Sequence, residues 1–149
     1  MDKKIDFLGI PIDALTMQET VNKIENAIEN NKQIHHAVIN AGKVVLMSKD
    51  KKLENSVLKA DLINADGQGI VWGASFLGKK IPERVAGIDL MLRLVALSYV
   101  KGFSCFLFGA EENVVEKVVN RFSQIYSEDI IAGYRNGFYD ATEEIDIVK

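Results

Sequence analysis

Cysteine occurs once in the 149 residues and proline twice. A single cysteine excludes a disulfide framework within the chain. Cys105 lies in the apolar run Phe103-Ser104-Cys105-Phe106-Leu107-Phe108, which points to a small buried hydrophobe rather than a nucleophile. No apolar run reaches the length of a membrane span, and Met1-Asp2-Lys3-Lys4-Ile5 holds no extended signal core. A reducing, cytoplasmic compartment is the expectation. Neither sign of charge dominates: 18 basic side chains stand against 21 acidic ones, a formal charge of -3. No global field attracts nucleic acid, and no nucleic-acid partner is expected. Also missing are an Asp-x-Asp triplet, a Gly-x-Ser-x-Gly elbow and a zinc-ligand spacing. His35 and His36 are adjacent on a predicted strand, so they point to opposite faces and cannot chelate one ion. No metal site and no cofactor is expected.

What remains is an ordinary globular composition, 48% hydrophobic and 26% charged. One domain over residues 1–149 is the expectation, burying roughly 70% of its unfolded surface. Strands are predicted at Ile5 to Ile10, stopped by Pro11, at Ile34 to Ile39, at Leu62 to Asn64, at Phe103 to Phe108 and at Asp129 to Ala132. Between them run helical periods. Thr16-Met17-Gln18-Glu19 has the form of a capping box, followed by a stripe of Met17, Val21, Ile24 and Ile28. Lys43 to Met47 is helical, and Asp50 opens a helix that turns Leu53, Val57 and Leu58 inward. Ile70 to Leu77 is a helix ended by Gly78. Ile88 to Val100 is apolar around most of its girth and is expected to be well buried. The aromatic run ending at Phe108 is expected at the centre of a sheet. A further helix carries Val115, Val118, Val119, Phe122, Ile125 and Tyr126, and Gly133 to Tyr139 reads as a glycine-bounded aromatic loop. Asp140 to Glu143 offers a second capping box before a last helix. This alternation argues for an α/β, Rossmann-like three-layer sandwich with a mainly parallel sheet. A further strand would be expected after the last helix, so the sequence reads as C-terminally incomplete.

Candidate chemistry gathers at Ala65-Asp66-Gly67-Gln68-Gly69-Ile70-Val71-Trp72, where a buried strand ends on a carboxylate and two glycines at the mouth of a helix. Bare N–H groups at a helix N-terminus favour an anionic ligand, and ligands of open α/β sheets collect at such strand ends. Asp66 has two readings, a cap for that helix or a general base beside a bound phosphate. Asn40 ends the preceding strand in a comparable position, again either capping a helix or lining a site. Arg84, in Lys79 to Gly87, is the one residue of that loop suited to a bidentate grip on phosphate, and its alternative is a surface pair with Glu83 or Asp89. Gly67-x-Gly69-x-x-x-Gly73 misses the dinucleotide fingerprint by one residue, and no acidic residue follows at the distance that would hold a ribose, which disfavours NAD.

The segments Ile39-Asn40-Ala41, Ala65 to Val71, Pro82-Glu83-Arg84-Val85-Ala86-Gly87-Ile88-Asp89-Leu90, Leu107-Phe108-Gly109-Ala110 and Gly133-Tyr134-Arg135-Asn136-Gly137-Phe138 fall in the order found in the WecG/TagA/CpsF glycosyltransferases, glycosyltransferase family 26. The chain resembles that family over nearly its whole length. The resemblance implies a bacterial, inverting, metal-independent enzyme that moves N-acetylmannosamine or a related sugar from a UDP donor. The acceptor would be polyprenyl-diphosphate-linked N-acetylglucosamine at the inner face of the membrane, in teichoic acid or surface polysaccharide synthesis. It implies Asp66 as the base on the acceptor hydroxyl. Asn40, Gly67, Gln68 and Gly69 would bind substrate and Arg84 would steady diphosphate charge. Two local departures stand out: the family usually carries Thr where this chain has Val38 and Glu where it has Gly42. Relatives also continue into a strand with a Gly-x-Pro-Lys-Gln-Glu motif and a basic C-terminal appendage.

Two other classes stay open on sequence alone. One is a non-catalytic remnant that binds a nucleotide or a partner subunit, and the other is a dinucleotide oxidoreductase. An incomplete sheet leaves an edge or apolar face, from which self-association into a homo-oligomer is expected.

Overall fold

The computed structural model describes residues 3–140 and 142–147. It is a mixed α/β, Rossmann-like fold whose parallel strand pairs alternate with helices, and it divides into two compact units, Met1–Met91 and Leu92–Lys149.

The first unit begins with an antiparallel hairpin of β1 (Lys4–Phe7) and β2 (Ile10–Asp13). A single strand stopped by Pro11 was the expectation, and the hairpin corrects it. Leu8 and Gly9 both have positive φ, 54° and 83°, as a two-residue hairpin turn requires. Phe7 and Ile10 close the turn, which makes Asp6 and Pro11 a pair that exchanges no hydrogen bonds, so the proline's missing N–H costs the ladder nothing. α1 (Met17–Glu29) follows, with the capping box present as read: Thr16 Oγ1 accepts from the Glu19 N–H at 3.2 Å, and the Thr16 N–H donates to the Glu19 carboxylate at 2.8 Å. The Lys3 ammonium, 2.7 Å away, and then the Thr16 N–H hold the Glu19 carboxyl down at about 2. Met17, Val21 and Ile24 are buried, while the fourth position of the stripe passes from Ile28, which is exposed, to Ala27.

Strands β3 (His36–Ile39) and β4 (Leu62–Ala65) pair in parallel, with Ile39 opposite Ala65. Between them lie α2 (Ala41–Met47) and α3 (Lys51–Leu58); Asp50 caps the latter by accepting from the Lys52 and Leu53 N–H groups. Leu53 is half-buried and Val57 buried, but Leu58 lies at the surface. One face of the strand pair, with Ile39, Ile63 and Ala65, packs with Phe7, Ile12, Met47, Ile70 and Ala74 into the core of this unit. Then come α4 (Gln68–Phe76) and the first residues of α5 (Gly87–Lys101), the helix that carries the chain into the second unit. Gly78 (φ 70°) ends α4 as predicted, with the Lys79 N–H reaching back to the Ala74 carbonyl at 2.8 Å.

In the second unit β5 (Cys105–Phe108) pairs in parallel with β6 (Ile131–Arg135). α6 (Glu112–Ile125) and a 3₁₀ turn at Glu128–Ile130 connect them. β6 starts and ends later than read: Asp129 and Ile130 belong to the 3₁₀ turn, and the strand takes Gly133, Tyr134 and Arg135 out of the expected loop. Val95, Phe122 and Ile130 form the core, with Cys105 and Leu107 packed on it. The burial expected around α5 is not observed: Leu90, Val95 and Ser98 are buried, whereas Ile88, Leu92, Tyr99 and Val100 are exposed, because packing engages one stripe of an evenly apolar helix. The double-sided burial expected of β5 is not observed either: its pattern alternates, and Phe106 and Phe108 lie on the more exposed side, the Phe108 ring 5.8 Å from that of Tyr139. A last helix, α7 (Glu144–Ile147), follows Glu143, whose carboxylate accepts from the Asp140 N–H at 2.8 Å.

Candidate functional site

Parallel pairing puts the ends of β3 and β4 at the same edge, so Asn40 and Asp66, one residue beyond each strand, are brought together. The Asp66 N–H donates to the Ile39 carbonyl at 2.8 Å and extends the ladder by one bond. A Cβ on Gly67 would sit 3.3 Å from Asn40 Cβ, so the two strand ends touch and glycine is what lets them. The loop 82–86 closes on the same edge: the Val85 N–H donates to the Ala65 carbonyl at 2.8 Å, which brings Arg84 beside the end of β4. One turn of chain earlier, the Glu83 carboxylate accepts from the Met17 N–H at the start of α1, at 2.8 Å. The first residue of α5 is placed against β3, since a Cβ on Gly87 would lie 3.4 Å from Val38 Cγ2.

The capping readings now separate. Asn40 does cap: its Oδ1 accepts from the Lys43 N–H at 2.9 Å, while its Nδ2 has no partner among the described residues. Asp66 does not. Gly67 is the N-cap of α4 and supplies no side-chain bond, so the amides of Gln68 and Gly69 stand at an uncapped helix end. The half-buried Asp66 carboxylate accepts no hydrogen bond from the described residues. A carboxylate held by its backbone yet unengaged at its oxygens is open to a ligand, and the positive end of α4 beside it favours anionic groups. Gln68 and Gly69 are exposed, and a Cβ on Gly69 would meet nothing within 4 Å, so the space before the helix is open.

Arg84 pairs with Asp89 at 3.2 Å, the surface alternative foreseen for it. Both side chains are about half exposed, and such pairs contribute about 0–1 kcal/mol, so a phosphate competes easily for the guanidinium. Arg84 is therefore near the strand ends but turned toward α5. Of the two departures from the family pattern, Val38 offers the start of α5 methyl groups instead of a hydroxyl. Gly42 leaves room beside Asn40, where a Cβ would lie 3.4 Å from Oδ1.

Beneath this edge lies a polar network that sequence reasoning missed. Asp13, buried at the end of β2, accepts from the Ile63 N–H at 2.9 Å and pairs with Lys23 at 3.3 Å and Lys4 at 3.5 Å. Fully buried Asn64 donates to the Asp13 carbonyl at 3.3 Å and meets His36 Nε2 at 3.0 Å. Burial holds the His36 imidazole below its ordinary 6.5, although the Asn64 bond opposes it. The available signal was Asn64 itself, a polar residue in an apolar strand that needs a buried partner. Among the described residues no group of three or more His, Cys, Asp or Glu is placed to hold a metal ion. No helix among them is long and apolar enough to cross a membrane.

Comparison with known proteins places the chain in a family. The family model of the glycosyl transferase WecG/TagA/CpsF family matches residues 5–149. A curated relative named N-acetylglucosaminyldiphosphoundecaprenol N-acetyl-beta-D-mannosaminyltransferase, from Staphylococcus aureus (strain NCTC 8325 / PS 47), is 27% identical over 143 residues, covering 95% of this chain and 56% of the relative. A protein of the same name from Bacillus subtilis (strain 168) is 30% identical over 90 residues, 60% of this chain and 35% of the relative. The chain thus spans about half the length of the curated relatives it matches.

Proposed function

The chain belongs to the glycosyl transferase WecG/TagA/CpsF family, and from that membership we propose that it is the core of an inverting N-acetylmannosaminyltransferase. The donor is a UDP-sugar and the acceptor a polyprenyl-diphosphate-linked N-acetylglucosamine, as the names of its relatives suggest for the acceptor. The pathway is wall teichoic acid or surface polysaccharide synthesis, and the protein works peripherally at the inner face of the membrane. The observation that carries this reading is the unengaged Asp66 carboxylate at the shared end of β3 and β4.

Asp66 takes the proton of the acceptor hydroxyl as that oxygen attacks the anomeric carbon. The bond from carbon to the UDP oxygen breaks on the opposite face, the configuration inverts, and UDP leaves with the bonding electron pair. Its diphosphate charge is met by Arg84, released from Asp89, and by the N–H groups of Gln68 and Gly69, with no metal required. Asn40 Nδ2 donates to the bound sugar, and Gly67 admits it close to the backbone. General-base help of this kind contributes about 10²–10⁴ in rate.

Calorimetric titration with UDP tests the donor site, with NAD as the control that separates it from a dinucleotide site. UDP is expected to bind and NAD not, and Arg84→Ala should weaken UDP roughly tenfold to a hundredfold, as loss of a charge-assisted hydrogen bond does. A folded chain that ignores UDP would refute the reading of the edge as a donor site. Val38 in place of a hydroxyl favours one second reading, a nucleotide-binding core without turnover; UDP binding with no sugar transfer would establish it. Self-association is also proposed, and sedimentation showing a monomer across a wide concentration range would reject it.

A further inference from the structure

We propose that the C-terminal half of α4 and the turn after it form a docking surface for anionic lipid headgroups. α4 is unusually poor at hiding its apolar side chains. Ile70 and Ala74 are buried, but Trp72 is 68% exposed, Phe76 92% and Leu77 49%. Trp72 and Phe76 are four residues apart, hence neighbours on one face of the helix. An open groove of about 600 Å³ runs along the helix from Gln68 past Trp72 and Ser75 to Lys79 and Lys80. Neither lysine makes an ion pair or side-chain hydrogen bond among the described residues. From Gln68 to Ile81 the chain contains no acidic residue, so the patch is cationic in a protein whose net charge is -3. The hairpin tip with exposed Leu8 adjoins the same helix, because the Phe7 ring lies 3.3 Å from where a Gly73 Cβ would be.

Aromatic rings beside unpaired lysines match an interfacial lipid layer, which takes the ring among headgroups and acyl boundaries and the ammonium against phosphate. A second copy of the chain fits less well. Across a two-fold axis the patch would meet itself, setting Lys79 and Lys80 against their own equivalents, and lysine is depleted from protein interfaces. The groove's lining reaches back to Gln68, two positions after Asp66, so docking here holds the proposed site near the lipid surface from which a polyprenyl-linked acceptor is reached.

Trp72 is the only tryptophan of the chain and reports on its own surroundings. Its emission is recorded with vesicles of phosphatidylglycerol and of phosphatidylcholine, both free of acceptor, alongside co-sedimentation. With phosphatidylglycerol a blue shift, quenching by brominated acyl chains and co-sedimentation that salt weakens are expected; phosphatidylcholine should give little. K79E/K80E should weaken binding about 25-fold or more, at about fivefold per lysine lost. Phe76→Ser should weaken it further while circular dichroism stays unchanged. Unchanged emission without co-sedimentation, or a K79E/K80E variant that binds like the parent, would overturn the assignment. So would a blue shift that grows with protein concentration in the absence of vesicles, which would place a second copy on the patch. Lipid docking deepens the peripheral placement proposed above. Because the vesicles carry neither donor nor acceptor, its failure is separable from that of sugar transfer, which the UDP titration reads.

Discussion

Both units hold a parallel strand pair followed by a helix whose N-cap gives no side-chain bond, yet their strand ends differ in what is left available. At the end of β4 the Asp66 carboxylate, the Asn40 amide nitrogen and the first amides of α4 have no partner among the described residues. At the end of β5 the protein fills the equivalent place with itself. The Gly109 N–H donates to the Arg135 carbonyl at 3.0 Å, and the Gly137 N–H to the Ala110 carbonyl at 2.8 Å. Asn136 donates to Glu112 at 2.6 Å, and Arg135 pairs with Glu143 at 3.0 Å. Glu112 also puts a negative charge in the first turn of α6, where an anion would otherwise bind. The same supersecondary unit is thus left open in one place and is a closed joint in the other. Residues decide which, while the fold supplies only the position.

The largest effect expected from breaking this contrast is at Asp66. Asp66→Asn keeps the shape and removes the carboxylate proposed as the base, so transfer to a lipid-linked acceptor should fall by about 10²–10⁴ while UDP binding persists. Radiolabelled sugar transfer reads it, and retained turnover would show that the free carboxylate is not the base. Next comes the closed joint. A Cβ on Gly137 would lie 3.1 Å from Gly109 Cα and 3.2 Å from the Ala110 nitrogen, both backbone atoms that cannot step aside cheaply. Gly137→Ala should destabilise the chain by about 1–3 kcal/mol, seen as a lower urea midpoint. Asn40→Ala has a smaller, two-part effect: loss of the α2 cap costs about 1 kcal/mol in stability, and turnover falls as well if the amide meets substrate. An unchanged turnover would confine Asn40 to capping.

The smallest effect is pH dependence, and it belongs to the first unit, which contains both histidines. Burial lowers the His36 pKa below 6.5, so between that value and its folded pKa the unfolded chain binds the proton more readily. Stability should therefore decline as pH falls below about 6.5, and His36→Gln should flatten the decline. Its ring resonances, followed by NMR, should titrate below 6.5.

Local chemistry was legible in the sequence where a residue acts on its near neighbours. The Thr16 to Glu19 box, the Asp50 cap and the Gly78 stop are bonds within one turn, and each is present. The α/β alternation was legible for the same reason, since periodicity records which face is covered. Long-range partnership was not. Nothing in the order of residues says that Asp13 and Asn64, 51 positions apart, share a buried bond. Nor does it say that Phe106 and Phe108 lie on the more exposed side of β5, because an aromatic strand reads alike whether one face or two are packed. Leu8 with positive φ gave no warning either, since leucine rarely adopts that conformation. At the site, the strand-end positions of Asn40 and Asp66 were readable, but which of them caps a helix depended on geometry that no spacing encodes.

The segment carrying Arg84 is moored twice before any ligand arrives, by Glu83 to the start of α1 and by Val85 to the end of β4. A loop already tied down has little disorder left to lose on binding. Nucleotide association should then follow a single exponential whose rate rises linearly with concentration, with no slow closing phase. Cutting one mooring with Glu83→Ala, which removes the acceptor of the Met17 N–H, should leave the bound state nearly intact while adding a second, concentration-independent step as the loop settles.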